Sequence, residues 1–336
     1  VSEEQVVVST PGKSDFLKPV IQIAVMVTVI VSTILTIFAW PLATATPKNI
    51  PVGITSTVPN LAQGVQTQFD QQQPGAFKFI EYKDLAAAKA AISHREVYGA
   101  LVLTDKPQML IATGASPAMA QLLTSISIEL GAQISAANGV SAITFAIEDL
   151  APLGTKDPRG LGLSAGSLPL IIAGIVVGLL GSMRLRRTSQ KFLVAGLAGT
   201  LAAFSIVAIL NLWLGSLQGN YFLEVAVVAL GIAAVALTIM GAAALAGRVG
   251  LLSVIGLFFI IGNPLGGVAL PQELYSPTWF GTLGQYLPLG AEVNLLRRIS
   301  YFPEASTITQ WATLGAWLAV GVLLLVLAPE RKPKEA

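Results

Sequence analysis

Apolar residues in this chain fall in long uninterrupted runs, and the polar ones gather between them. The run at 19–41 opens PVIQIAVMVTVIVSTILTIFAW and has the roughly 20 residues a helix needs to cross about 30 Å of hydrocarbon. Further runs lie at about 168–183, 192–214, 221–246, 251–270 and 311–328. They predict an α-helical polytopic membrane protein with six transmembrane helices. The first run is longer than the apolar core of a secretory signal peptide, and it ends on Trp40, a residue that favours the membrane interface.

One long interval breaks the series. Residues 42–165 read as a small extracytoplasmic α/β domain inserted between helices 1 and 2. Strands are expected at 50–55, 77–82, 97–103 and 109–113, the third as a continuous apolar run buried on both faces. A polar helix is expected at 61–72, and Asp84 offers an N-cap for an Ala-rich helix at 85–92. The Gln-rich patch 68–73 reads as a loop. A long helix is expected over 116–145, descending toward the second span. The carboxylates Asp70, Glu81, Asp84, Glu96 and Asp105 form no spaced acid–base pair and read as solvated surface charges. His94, in the polar turn Ser-His-Arg-Glu, reads as an exposed loop residue.

Composition agrees with this pattern. Hydrophobic residues make up 54% of 336 and charged ones 11%, with a mean hydropathy of +0.72. A soluble domain carries about a quarter charged residues. The net charge of +2 gives no electrostatic case for nucleic acid. With no cysteine and one histidine, the chain offers no disulfide, no thiolate chemistry and no multi-histidine metal site. No metal or other cofactor is expected, and no catalytic residue.

Orientation follows from the basic residues. Lys13 and Lys18 precede the first span, and Arg184, Arg186, Arg187 and Lys191 lie between the second and third. Arg248 separates the fourth from the fifth, and Arg331, Lys332 and Lys334 follow the sixth. All then share the cytoplasmic side, placing the N-terminal segment 1–18 and the tail 330–336 there. Arg297 and Arg298 are the exception, on the outer side. Between the fifth and sixth spans, Pro271, Pro277 and Pro288 forbid one continuous helix. Together with the aromatics Trp279, Phe280, Tyr286, Tyr301 and Phe302, they predict re-entrant short helices over 271–308.

Two stretches carry a family resemblance. Residues 84–103, DLAAAKAAISHREVYGALVL, are followed by a strand and a Gly-Ala-Ser turn at 114–116. Residues 262–302 contain Leu-Pro at 270–271 and again at 287–288. Both resemble the permease subunit of type-2 ATP-binding cassette (ABC) exporters, in particular the phage-infection-protein-like branch. The resemblance implies a homodimer in the plasma membrane, working with a separate ABC ATPase, since the chain has no Gly-x-x-x-x-Gly-Lys-Ser/Thr loop. The ATPase contact would be Arg184, Arg186, Arg187 and Lys191 with residues 14–18, although that loop is short for a coupling helix.

Polar groups inside the spans are few. Asn211 and Asn263 read either as helix-packing groups or as lining for a substrate path. Glu224 and Glu292 read as solvated charges near the outer ends of spans. The Gly174-x-x-x-Gly178 spacing reads as packing. The leading functional expectation is export of an amphipathic or cell-envelope-related molecule. The alternative is a non-transporting membrane scaffold or receptor whose outer domain binds envelope components or a phage.

Overall fold

A computed structural model describes residues 13–138, 143–268 and 270–329. Residues 1–12 and the basic tail 330–336 lie outside the described residues. Helix α1, Lys13–Ala43, leads into a lobe built on a β-sheet. The lobe runs β1 Ile50–Ser56, α2 Leu61–Gln72, β2 Phe77–Glu81, α3 Leu85–Ser93, β3 Gly99–Leu103, β4 Gln108–Ile111, α4 Pro117–Asn138 and β5 Ala146–Asp149. The strands form one mixed sheet in the order β2-β1-β3-β4-β5, with only the β3–β4 pair antiparallel.

Local chemistry explains much of the lobe. The Asp84 carboxylate accepts the Ala87 N–H at 2.7 Å and so starts α3. The third strand is buried along its whole length, as its unbroken apolar sequence requires. Two expectations fail here. The Gln-rich patch is helical through Gln72, because Phe69 in that turn packs on Phe77 and Phe79 and holds it to the sheet. The long helix also ends earlier than expected, and the chain returns to the sheet as β5, pairing with β4 instead of descending directly. The backbone pairing of β5 overrides its unremarkable sequence, Ala-Ile-Glu-Asp.

The remainder is helical. It comprises α5 Leu161–Arg184, α6 Thr188–Val207 with a π-helical segment Ala208–Trp213, and α7 Tyr221–Ile255, which continues through a second π segment, Gly256–Ile261, into α8 Gly262–Leu265. Then come a 3-10 turn Gln272–Leu274, α9 Thr278–Gln285, α10 Pro288–Tyr301 and α11 Ile308–Leu327. Five stretches are long and apolar enough to cross a membrane: Leu17–Ala43, Leu161–Arg184, Thr188–Trp213, Tyr221–Leu265 and Ile308–Leu327. The architecture is consistent with a helical membrane protein carrying a small mixed sheet.

The 45-residue stretch Tyr221–Leu265 is not one straight rod. Gly247 has φ 60° and ψ −136°, a conformation only glycine adopts readily, and nothing lies where a Cβ would stand. Across it, Thr238 Oγ1 donates to the Trp317 carbonyl at 3.2 Å, and the Phe258 ring packs edge-on against the same Trp317 at 5.0 Å. In a straight helix residues 238 and 258 would stand about 30 Å apart. The chain therefore doubles back at Gly247, and both arms meet α11.

Close packing sets the rest of the bundle. A Cβ on Gly174 would lie 2.7 Å from Val235, and one on Gly178 would lie 2.9 Å from Ile239, so α5 rests directly on α7. Gly199 of α6 faces Ile232 in the same way. These registers bring the α5–α6 connection and the Gly247 turn to one end of the bundle. The lobe and the short helices occupy the other.

The lobe is not closed by its own residues alone. One face of its sheet packs with α2 and α4 around Val52, Leu101, Met109 and Leu123. The other face, under α3, gathers Ala88, Ile92, Ala100 and Leu110 with Phe302 and Ala305, which follow α10.

Candidate functional site

The three prolines that forbid one helix each open a short helical element. Pro271 precedes the 3-10 turn, Pro277 precedes α9, and Pro288 is the first residue of α10. The resulting chain reversals face the lobe and tie to it at several points. Thr46 N–H donates to the Leu274 carbonyl at 3.1 Å, and Lys48 N–H donates to that of Glu273 at 3.1 Å. Exposed His94 Nδ1 lies 3.0 Å from the Glu304 carbonyl oxygen.

Between the lobe and these short helices lies a polar cavity of about 230 Å³. Arg95, Glu96 and Tyr98 of the lobe line it, facing Gln285, Asn294, Arg297 and Arg298, with Glu273 beside them. Asn294 organises two of the arginines. Its Oδ1 accepts from Arg95 at 2.8 Å and from Arg298 at 3.2 Å, while its Nδ2 donates to Gln285 at 2.8 Å. Arg297 donates to the carbonyls of Gly267 and Val268 at 3.2 and 2.8 Å. The Tyr98 hydroxyl donates to Glu273 at 2.7 Å.

Among the described residues, no carboxylate lies within 4.0 Å of any of the three guanidiniums; the ion pairs found are Lys83–Asp84 and Lys89–Glu148. Burial, with the neighbouring Arg298 and Arg297 adding to it, draws Arg95 down to about 10, well below an ordinary arginine. Burial first, and the Glu273 carboxylate second, push the Tyr98 phenol up, so Tyr98 stays a hydrogen-bond donor. The Arg297–Arg298 pair, which breaks the basic-residue asymmetry in the sequence, belongs to this cavity.

Arg95 also has unusual backbone. It sits at φ 59°, just past the end of α3, where its N–H donates to the Ile92 carbonyl and the Glu96 N–H donates to that of Ala91, both at 2.9 Å. That is the pattern of a Schellman helix end, whose left-handed position usually holds glycine. An arginine stands there instead.

A second polar cluster lies at the same end of the bundle. The π segment presents Asn211, whose Nδ2 donates to Glu224 at 2.8 Å. Glu224 also accepts from the Gly219 N–H at 2.9 Å and from Ser300 Oγ at 2.7 Å. Glu224 is 0% exposed and Glu292 2%, so neither is the solvated charge expected from its place near a span end. Hydrogen bonding from three segments takes the place of water around Glu224. Glu292 fills a hollow left by Gly231, and its Oε1 has no hydrogen-bond partner.

The other sequence candidates lie elsewhere. Asn263 is half-buried at the start of α8. Arg184, Arg186 and Arg187 are exposed around the three-residue connection 185–187, and Lys191 lies in the first turn of α6. The lobe carboxylates Asp70, Glu81, Asp84, Glu96 and Asp105 are all exposed. Among the described residues, no group of three or more His, Asp or Glu could hold a metal ion. Sequence reading missed Arg95, Tyr98, Glu273 and Asn294, whose partners lie far along the chain; the Arg297–Arg298 pair, out of step with the other basic residues, was the one signal pointing toward them.

The chain matches no protein-family model, no curated protein and no solved structure.

Proposed function

We propose that this chain is the permease subunit of an ABC-type exporter, moving an amphipathic or envelope-related molecule across the plasma membrane with a separate ATPase. The observation that carries the reading is the polar cavity at the junction of lobe and bundle, walled by helices that proline breaks into short pieces. Irregular backbone at membrane depth is tolerated where it is buried in protein or lines a cavity. The reversal at Gly247 divides Tyr221–Leu265 into two arms, so the chain crosses six times. The basic end, with Arg184, Arg186, Arg187 and Arg248, faces the cytoplasm together with both termini, and the lobe faces outward. The short helices re-enter the outer leaflet, and two copies form the working unit in the bilayer.

One observation favours the scaffold or receptor reading. The 185–187 connection is too short to hold a helix that docks into an ATPase. Co-purification decides between the two. An exporter subunit captures an ATPase whose turnover rises on reconstitution with this chain. A folded protein that recruits no ATPase sinks the exporter reading and leaves the scaffold.

A further inference from the structure

We infer that the cavity between the lobe and α10 binds a phosphate-ester anion, the headgroup of an amphipathic molecule, through Arg95, Arg297 and Arg298. The inference names the substrate class of the proposed permease and rests on that reading for its role, although binding is measured without an ATPase.

Three guanidiniums line one small cavity, and among the described residues no carboxylate is ion-paired to them. Each carries five N–H donors in a planar fork suited to phosphate, and the protein uses only one or two from each. The three guanidiniums outnumber the two carboxylates that line the cavity, Glu96 and Glu273, neither of which lies within ion-pairing distance of them, and an oxyanion balances the excess. Asn294 and the carbonyls of Gly267 and Val268 hold the forks in place beforehand, which lowers the ordering cost of binding.

Arg95 carries a second, independent mark. Its left-handed backbone is one in which glycine is the favoured residue, and strain of this kind concentrates at binding sites. The helix end itself is complete without the side chain, so the guanidinium is not needed to build it.

Size and surroundings restrict the ligand. At about 230 Å³ the cavity falls below the roughly 300–1,000 Å³ of sites that enclose a drug-sized molecule, so it takes a headgroup and not a whole amphiphile. Gln285 of α9 lines the cavity while its neighbours Leu283 and Tyr286 are exposed, leaving apolar surface beside it for the rest of the molecule. Glu273, held by Tyr98 and by Gln272 at 3.1 Å, supplies an acceptor for a headgroup hydroxyl.

The test uses the full chain in phosphatidylcholine nanodiscs. Glycerol 1-phosphate is titrated by calorimetry, and retention of phosphatidylglycerol over phosphatidylcholine is read by native mass spectrometry. Binding of glycerol phosphate assigns a soluble ester as the source, and retention of phosphatidylglycerol alone assigns a lipid; either supports the site. In both cases Arg95→Gly weakens binding about tenfold to a hundredfold, the loss expected for hydrogen bonds to a charged group, and Arg95→Lys falls between. If Arg95→Gly does not fold, Arg298→Gln reads the same loss. Unchanged affinity in a folded variant, or no binding of either probe by the wild type, overturns the inference. An ATPase that co-purifies while neither probe binds would leave the exporter reading standing and remove this one.

Discussion

The Arg95 guanidinium lies 5.3 Å from the centroid of the Phe302 ring, joining the end of a lobe helix to the end of α10. Phe302 is 2% exposed and sits in the core under α3. Phe302→Ala is therefore expected to destabilise the lobe by about 3–5 kcal/mol, the range for emptying a buried aromatic site. Hydrogen exchange of α3 and β3 amides should rise in the variant, while α5 and α7 amides change little.

Glu224→Ala removes the acceptor shared by Asn211, Gly219 and Ser300. Leaving buried donors unsatisfied costs about 1–3 kcal/mol each. A lower thermal midpoint in detergent is the expected result. Asn211→Ala should lower it less, because Glu224 keeps two donors.

Glu292 presents the opposite case. A buried oxygen without a partner is a standing cost, so Glu292→Met is expected to hold or raise the thermal midpoint. Gly231→Ala should lower it, since the added methyl would collide with the Glu292 carboxyl. Combined with Glu292→Ala, the same change should be tolerated. A double variant no better than Gly231→Ala alone would refute this account of the pair.

At Gly247 there is room for a methyl group but not the right backbone. Gly247→Ala should cost about 1–3 kcal/mol from conformation alone. Gly247→Asn should cost about as much, because ψ −136° lies outside the left-handed helical region that Asn tolerates. Thermal midpoints unchanged in both variants would argue against a backbone cause.

The lowered value of Arg95 fixes the sign of a pH effect. Above about pH 10 the unfolded chain still holds a proton that the folded chain has released, so this group's contribution to stability rises with pH there. Below it Arg95 is charged in both states and its contribution is constant. Affinity for a phosphodiester should accordingly be flat over roughly pH 6–9 and fall above about 10, measured by calorimetry.

Much of the architecture could be read locally. Apolar runs located the long helices, Asp84 marked the start of α3, and the unbroken apolar sequence at 97–103 marked a buried strand, which the fold has at Gly99–Leu103. These features depend on neighbours a few residues away. The arginine cavity does not, since Arg95 and Asn294 meet across 199 positions. Nor does β5, whose four residues are ordered by pairing with β4 and not by their own preference. The burial of Glu224 was hidden for the same reason: its donors come from a π segment, a turn and α10. Side chains that look solvated at a span's end lose that status once another element covers them.

Trp317 stands where three segments of the bundle meet. Its carbonyl takes the Thr238 hydroxyl, its ring meets Phe258, and its indole N–H donates to the Tyr286 carbonyl at 2.8 Å. A variant keeping this tryptophan and replacing the other four would carry one fluorophore at the crossing of both arms and the α9–α10 corner. Its emission would register any rearrangement of the short helices without a label attached to them.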